Sequence, residues 1–158
     1  MLHDKWNILI IEARGEAGVP AAMSDALLHS AVDAIRAEKA DCSVISAPGV
    51  FNLPGAVAQA EVGGARPAGI RYDGYVALGC LIRGETLRYE LLAHETMRGL
   101  MDLTIGRNLL IGAGLVTADT EAGAWARIDG KLASRGAEAA RACLGMVALR
   151  RRLLGIAR

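Results

Sequence analysis

The sequence predicts an α/β fold, a four-stranded parallel sheet with helices on both faces, and three observations carry that expectation. Short, nearly continuous apolar runs recur at Trp6 to Glu12, Tyr75 to Leu78 and Leu109 to Val116, as strands covered on both faces require. Between them lie segments whose apolar residues have helical spacing. The two kinds alternate along the chain, the order that a parallel sheet with right-handed crossovers produces. The 158 residues, 53% of them hydrophobic, suit one globular domain over 1–158 with a sizeable core.

The first strand, Trp6 to Glu12, is apolar enough to be central. Arg14-Gly15-Glu16-Ala17-Gly18 breaks it, and Pro20 stands where a first helical turn tolerates proline. From Ala21 to about Glu38, Leu27, Ala31, Ala34 and Ile35 share one helical face. Cys42 to Ser46 is a second short strand, ended by Ala47-Pro48-Gly49. A brief helix from Leu53 to Ala60 follows, with Pro54 near its start. Val62 to Tyr72, with Gly63, Gly64, Pro67 and Gly69, reads as a surface connection.

A third strand ends at Ile82, and a long helix runs from near Thr86 to Gly106, with Leu87, Leu91, Ala93, Met97, Leu100 and Met101 at helical spacing. Gly79, Gly84, Glu85 and Thr86 fall in the loop between them. A loop of this kind aims free backbone N–H groups at its contents, so an anion is the natural guest. The fourth strand is Leu109 to Val116. Thr117 to Thr120 offers caps for a helix carrying Trp125, and a last helix runs from Gly136 to Leu153. Open sheets of this type place their site beyond the carboxyl ends of the strands, here Ala13–Glu16, Ala47–Leu53, Leu81–Thr86 and Val116–Thr120.

Several classes are disfavoured. A formal net charge of +1 gives no electrostatic case for nucleic acid or an anionic membrane. No apolar run approaches the roughly 20 residues that span a bilayer, and Met-Leu-His-Asp-Lys-Trp lacks a signal-peptide core. Cys42, Cys80 and Cys143 are odd in number and share no metal-ligand spacing, so free buried thiols in a reducing cytoplasm are expected. Gly79 to Thr86 is neither a Walker phosphate loop nor a dinucleotide fingerprint.

The motifs in series resemble those of the lumazine synthases, enzymes of riboflavin biosynthesis. The residues concerned are Gly79-Cys80-Leu81-Ile82-Arg83-Gly84-Glu85-Thr86 with Tyr89, Pro48-Gly49-Val50-Phe51-Asn52-Leu53-Pro54, Arg98 to Met101, Gly114 to Thr117, and Ser134 to Ala140. The resemblance implies a flavodoxin-like three-layer subunit that condenses a ribitylamino-uracil with a dihydroxybutanone phosphate, releasing water and phosphate. It implies no metal and no organic cofactor. Subunits of such proteins form pentamers, some assembled further into decamers or icosahedral shells, with sites shared between neighbours. By matched position, Gly84, Glu85 and Thr86 receive the phosphate, together with Arg127 from across the subunit boundary. Val50, Phe51 and Asn52 line the ribityl pocket, Leu81 and Ile82 form its floor, and Lys131, Arg135 and Glu138 are supporting polar positions.

Four positions depart from that pattern. Arg88 stands where the family has its catalytic histidine, and a guanidinium does not shuttle protons as imidazole does. Gly15 replaces the aromatic residue that stacks on the pyrimidine, Ala113 replaces a phenylalanine of the fourth strand, and Asn52 replaces a glutamate that binds the ribityl chain. Two readings follow. One is a synthase that works largely by holding its substrates together, with His94 as a conceivable proton carrier. The other is a paralogue without catalysis, acting as an oligomeric scaffold or binding another phosphorylated or flavin-like ligand.

Overall fold

Apolar side chains occupy every position of strand β1 (Asn7–Ala13) from Ile8 to Ile11, and both of its faces are covered. The computed structural model describes residues 5–129 and 134–156. In order, the elements are β1, α1 (Ala21–Ala37), β2 (Asp41–Ala47), a 3-10 turn at Val50–Asn52, α2 (Leu53–Gly64), β3 (Gly74–Ile82), α3 (Arg88–Gly106), β4 (Ile111–Ala118), α4 (Glu121–Ile128) and α5 (Arg135–Leu153). The four strands form one parallel sheet in the order β2-β1-β3-β4.

Alternation along the strands divides the core in two. Ile8, Ile10, Val76, Leu78 and Cys80 face Met23, Leu27 and Ile35 of α1, Ala124 and Ile128 of α4, and Ala139, Ala140 and Cys143 of α5. Leu9, Ile11, Tyr75, Ala77 and Leu81 face Val57 of α2 and Leu100 of α3. The result is a flavodoxin-like three-layer α/β sandwich, as the apolar runs and their alternation predict. β1 and β3 are neighbours, and the chain leaves them toward opposite layers, which opens a crevice beyond their carboxyl ends.

Close backbone contact holds α5 on the sheet and on α1. A Cβ at Gly112 would run into the Ala139 carbonyl, and one at Gly136 would strike the Leu27 carbonyl and the Ser30 hydroxyl. Both positions therefore require glycine. Thr120 caps α4, its Oγ1 accepting from Gly123 N at 3.0 Å, and Pro54 sits in the first turn of α2.

The structure corrects several boundaries. α2 continues to Gly64 rather than giving way at Val62, because Gly64 is wedged under the Ile70 backbone, where a Cβ would come within 2.8 Å of the carbonyl oxygen. Gly79 belongs to β3, not to the loop; its missing side chain makes room for Val50 Cγ2. β4 spans Ile111–Ala118 instead of starting at Leu109. Of the apolar residues of α3, only Leu100 is buried, while Leu91, Met97 and Met101, and Leu87 just before the helix, are exposed. Cys80 and Cys143 are buried free thiols, but Cys42 is only partly covered because β2 is an edge strand. Among the described residues no helix is long and apolar enough to cross a membrane.

Two measurements check this packing. Gly112→Ala should destabilise by about 1–3 kcal/mol through overpacking, whereas Gly145→Ala, an open site in α5 where a Cβ meets nothing within 4 Å, should stabilise by about 0.5–1 kcal/mol; urea unfolding at fixed protein concentration compares them. Burial pushes the Cys80 thiol up to about 11 and Cys143 to about 12. Because the thiolate is the reactive form, Ellman's reagent at pH 8 should label Cys42 first and the other two only on unfolding.

Candidate active site

The segment after β1 is fixed before it reaches the crevice. Glu12, at the strand end, is buried, and its carboxylate accepts from Arg14 Nε at 3.0 Å, Arg14 Nη2 at 3.1 Å and the Ser46 hydroxyl at 3.3 Å. Arg14 also pairs with Asp25 of α1 at 2.7 Å, and these acids raise its pKa. The strand exit is thereby tied to β2 and α1. Gly15 follows with φ +85°, a left-handed turn that favours glycine, and the chain swings Glu16 over the end of the sheet.

Glu16 is closely held there. Its side chain is only 11% exposed. Oε1 accepts from Val50 N at 2.8 Å, and Oε2 lies 3.9 Å from Arg88 Nη1. Val50 is itself held from below, since the buried Thr96 hydroxyl donates to its carbonyl at 3.3 Å. Three segments distant in sequence thus meet at one carboxylate.

The loop after β3 is clamped by Arg83. Its Nε donates to Asp119 beyond β4 at 2.9 Å, its Nη2 to Glu90 at 3.3 Å, and the guanidinium lies 5.3 Å from the Tyr89 ring centroid. Asp119 is the main cause of its raised pKa. Thr86 Oγ1 accepts from Arg88 N at 3.3 Å, turning the chain into α3.

These clamps enclose a recess of about 160 Å3 lined by Glu16, Ala17, Leu81, Ile82, Gly84, Thr86, Arg88, Tyr89 and Leu92. It lies at the exits of β1 and β3 and adjoins the N-terminus of α3. A larger cavity, about 390 Å3, lies near the opposite end of the sheet, among Arg71, Arg107, Arg150, Glu61 and Tyr75. Its polar groups are largely engaged in holding the fold. Tyr75 donates to Glu61, Asp73 accepts from Asn7 N and Arg71 donates to the Gly64 carbonyl.

The recess unites five residues singled out from sequence: Leu81, Ile82, Gly84, Thr86 and Arg88. Arg88 is 68% exposed at its mouth. Glu85, Phe51 and Asn52 are exposed and do not line it. Val50 is fully buried in the core, so its side chain packs beneath Gly79 and its N–H is taken by Glu16. Gly15 stands beside the recess without lining it, and Ala113 is half-buried on β4 on the α2–α3 side. Arg127 Nη1 donates to the Gly123 carbonyl of its own helix, outside the recess. Arg135 and Glu138 pair at 3.4 Å in the first turn of α5. Lys131 lies outside the described residues. His94 is exposed on α3 and lines a separate groove with Thr117 and Arg135.

Glu16 and Arg83 are the residues that sequence reasoning missed. Their partners are 34 and 36 positions away. The available signal was the placing of an acid and a base at the carboxyl ends of two inner strands.

The family model for 6,7-dimethyl-8-ribityllumazine synthase matches residues 5–151. The 6,7-dimethyl-8-ribityllumazine synthase of Bartonella henselae is 45% identical over 148 residues, covering 94% of this chain and 90% of that protein. That of Agrobacterium fabrum is 41% identical over 151 residues, covering 96% and 99%. The 6,7-dimethyl-8-ribityllumazine synthase 1 of Rhodopseudomonas palustris is 41% identical over 147 residues, covering 93% and 87%. A parallel sheet in the order β2-β1-β3-β4, a recess at its switch point and a match over nearly the whole length agree: the chain belongs to the 6,7-dimethyl-8-ribityllumazine synthase family.

Proposed function

We propose that the chain is a transferase that condenses 5-amino-6-ribitylamino-uracil with 3,4-dihydroxy-2-butanone 4-phosphate, forming 6,7-dimethyl-8-ribityllumazine in riboflavin biosynthesis. The observation that carries this is the gathering of Gly84, Thr86 and Arg88 in one recess at the β1–β3 crevice of a family member matched over residues 5–151. The scaffold reading, which rests on the departures at Gly15, Asn52, Arg88 and Ala113, is not favoured by the match to the family. The enzyme acts in the cytoplasm as a single catalytic domain, without metal or organic cofactor.

In this reading the phosphate of the butanone sits at the N-terminus of α3, on Gly84, Glu85 and Thr86, where backbone N–H groups and the helix dipole favour an anion. Arg127 of a neighbouring copy completes the phosphate site, consistent with its exposed position away from its own chain's recess. Leu81 and Ile82 form the floor of the ribityl pocket, and Gly15 and Ala113 stand at the positions facing the pyrimidine. Phe51, Asn52 and the Val50 backbone bound the ribityl chain, and Lys131, Arg135 and Glu138 support the site near the interface. Arg88 faces the phosphate or the charge that develops as the ketone is attacked.

The working form is a homo-oligomer, a pentamer or a multiple of it. Leu91, Met97, Met101 and Ile105 are exposed large apolar residues of α3, with Leu87 just before it, and β2 presents an open strand edge with Val44 and Ile45 exposed. Apolar patches of this extent mark surfaces covered by a partner, and open edges invite pairing.

With both substrates, purified protein should form lumazine above the uncatalysed background, followed by its absorbance. Thr86→Ala and Arg127→Ala should each raise the KM for the butanone phosphate by about tenfold or more, the loss of a hydrogen bond to a charged group, and leave the KM for the uracil unchanged. No turnover by the native protein would remove the synthase reading. Sedimentation velocity should show an assembly with no monomer at micromolar concentration, and Leu91→Glu with Met101→Glu should release smaller species; a stable native monomer would refute the shared site.

A further inference from the structure

We propose that Glu16 is the proton carrier of the recess. This rests on the synthase reading above. An amine that adds to a ketone and then loses water must give up two protons, and the oxygen must gain two. Arg88 cannot cycle protons, because a guanidinium has donors and no acceptor. His94 lines a different groove. Among the described residues that line the recess, Glu16 supplies the only carboxylate.

Its geometry suits the task. Oε1 is committed to Val50 N at 2.8 Å, which fixes the carboxylate plane. The Arg88 guanidinium is 3.9 Å from Oε2, beyond hydrogen-bonding distance, so Oε2 keeps acceptor capacity for a substrate proton. Each proton movement then balances. As the C–N bond forms, the carbonyl π pair moves to oxygen, and the proton lost by nitrogen passes to Oε2 and on to that oxygen. On dehydration the nitrogen pair forms C=N, the C–O bond breaks, and the second nitrogen proton travels the same way to leave with the hydroxyl as water. The carboxylate is returned unchanged. It acts in concert with the positioning of the two substrates, which supplies the larger share of the barrier lowering.

The test measures steady-state kinetics of the full-length assembled protein with both substrates. Glu16→Gln retains an acceptor for Val50 N, so the loop stays in place, and thermal unfolding of each variant verifies this. The expected result is a fall in kcat of about a hundredfold, the usual scale for a positioned proton carrier, with both KM values within about threefold. Glu16→Asp should keep more activity than Glu16→Gln, and formate should restore part of the kcat of Glu16→Ala, a response that a purely structural residue does not give. A kcat for Glu16→Gln within about threefold of native, or a raised KM with unchanged kcat, would overturn the proposal and leave the synthase reading intact. An inert native protein would overturn both.

Discussion

Parallel strands that are both buried must be covered on two faces, and the chain can reach those faces only by crossovers. In this sheet the exits from β1 and β3 diverge toward opposite layers, so no crossover lies across the gap between their ends. The polar groups that remain there cannot be left to solvent and loop motion. They are fixed by long-range contacts: Glu12 with Arg14 and Ser46, Glu16 with Val50, Arg83 with Asp119. The recess is therefore built largely before any substrate arrives, which lowers the entropy lost on binding.

The sequence was most informative where local chemistry decides the structure. The apolar runs of β1 and β3 and the apolar face of α1 mark buried elements because their residue types fit one environment. Motif order sufficed to locate Leu81, Ile82, Gly84, Thr86 and Arg88 together. Legibility failed where packing overrides propensity. Gly63 and Gly64 look like helix breakers, yet α2 runs through both, since the tight passage beneath Ile70 needs a residue without a side chain. Gly79 looks like a turn residue and is a strand position pressed against Val50. Glu16 and Arg83 are ordinary surface charges until residues more than thirty positions away come into contact with them.

The two layers of the sandwich differ in a way that bears on assembly. α1 and α5 seal their face almost completely, with contacts close enough that glycine is required at Gly112 and Gly136. α2 and α3 cover theirs more thinly, and α3 buries only Thr96 and Leu100 while turning most of its large apolar residues outward. Its one buried polar group, Thr96, is spent on the Val50 carbonyl beneath the recess. The helix that turns apolar residues outward is thus also the helix that supports the carboxylate site through Thr96.

The turn at Gly15 has an evolutionary consequence. A bulky side chain at φ +85° is a conformational outlier, and the left-handed region costs an L-residue about 1–2 kcal/mol. An aromatic introduced at this position would strain the same turn that delivers Glu16 to the crevice. The effect of such a substitution is therefore epistatic: a neighbouring change must first reshape the turn, and without it the bulky side chain arrives as a loss. The backbone geometry at Gly15 thus restricts which side chains this turn accepts, whatever chemistry they would bring.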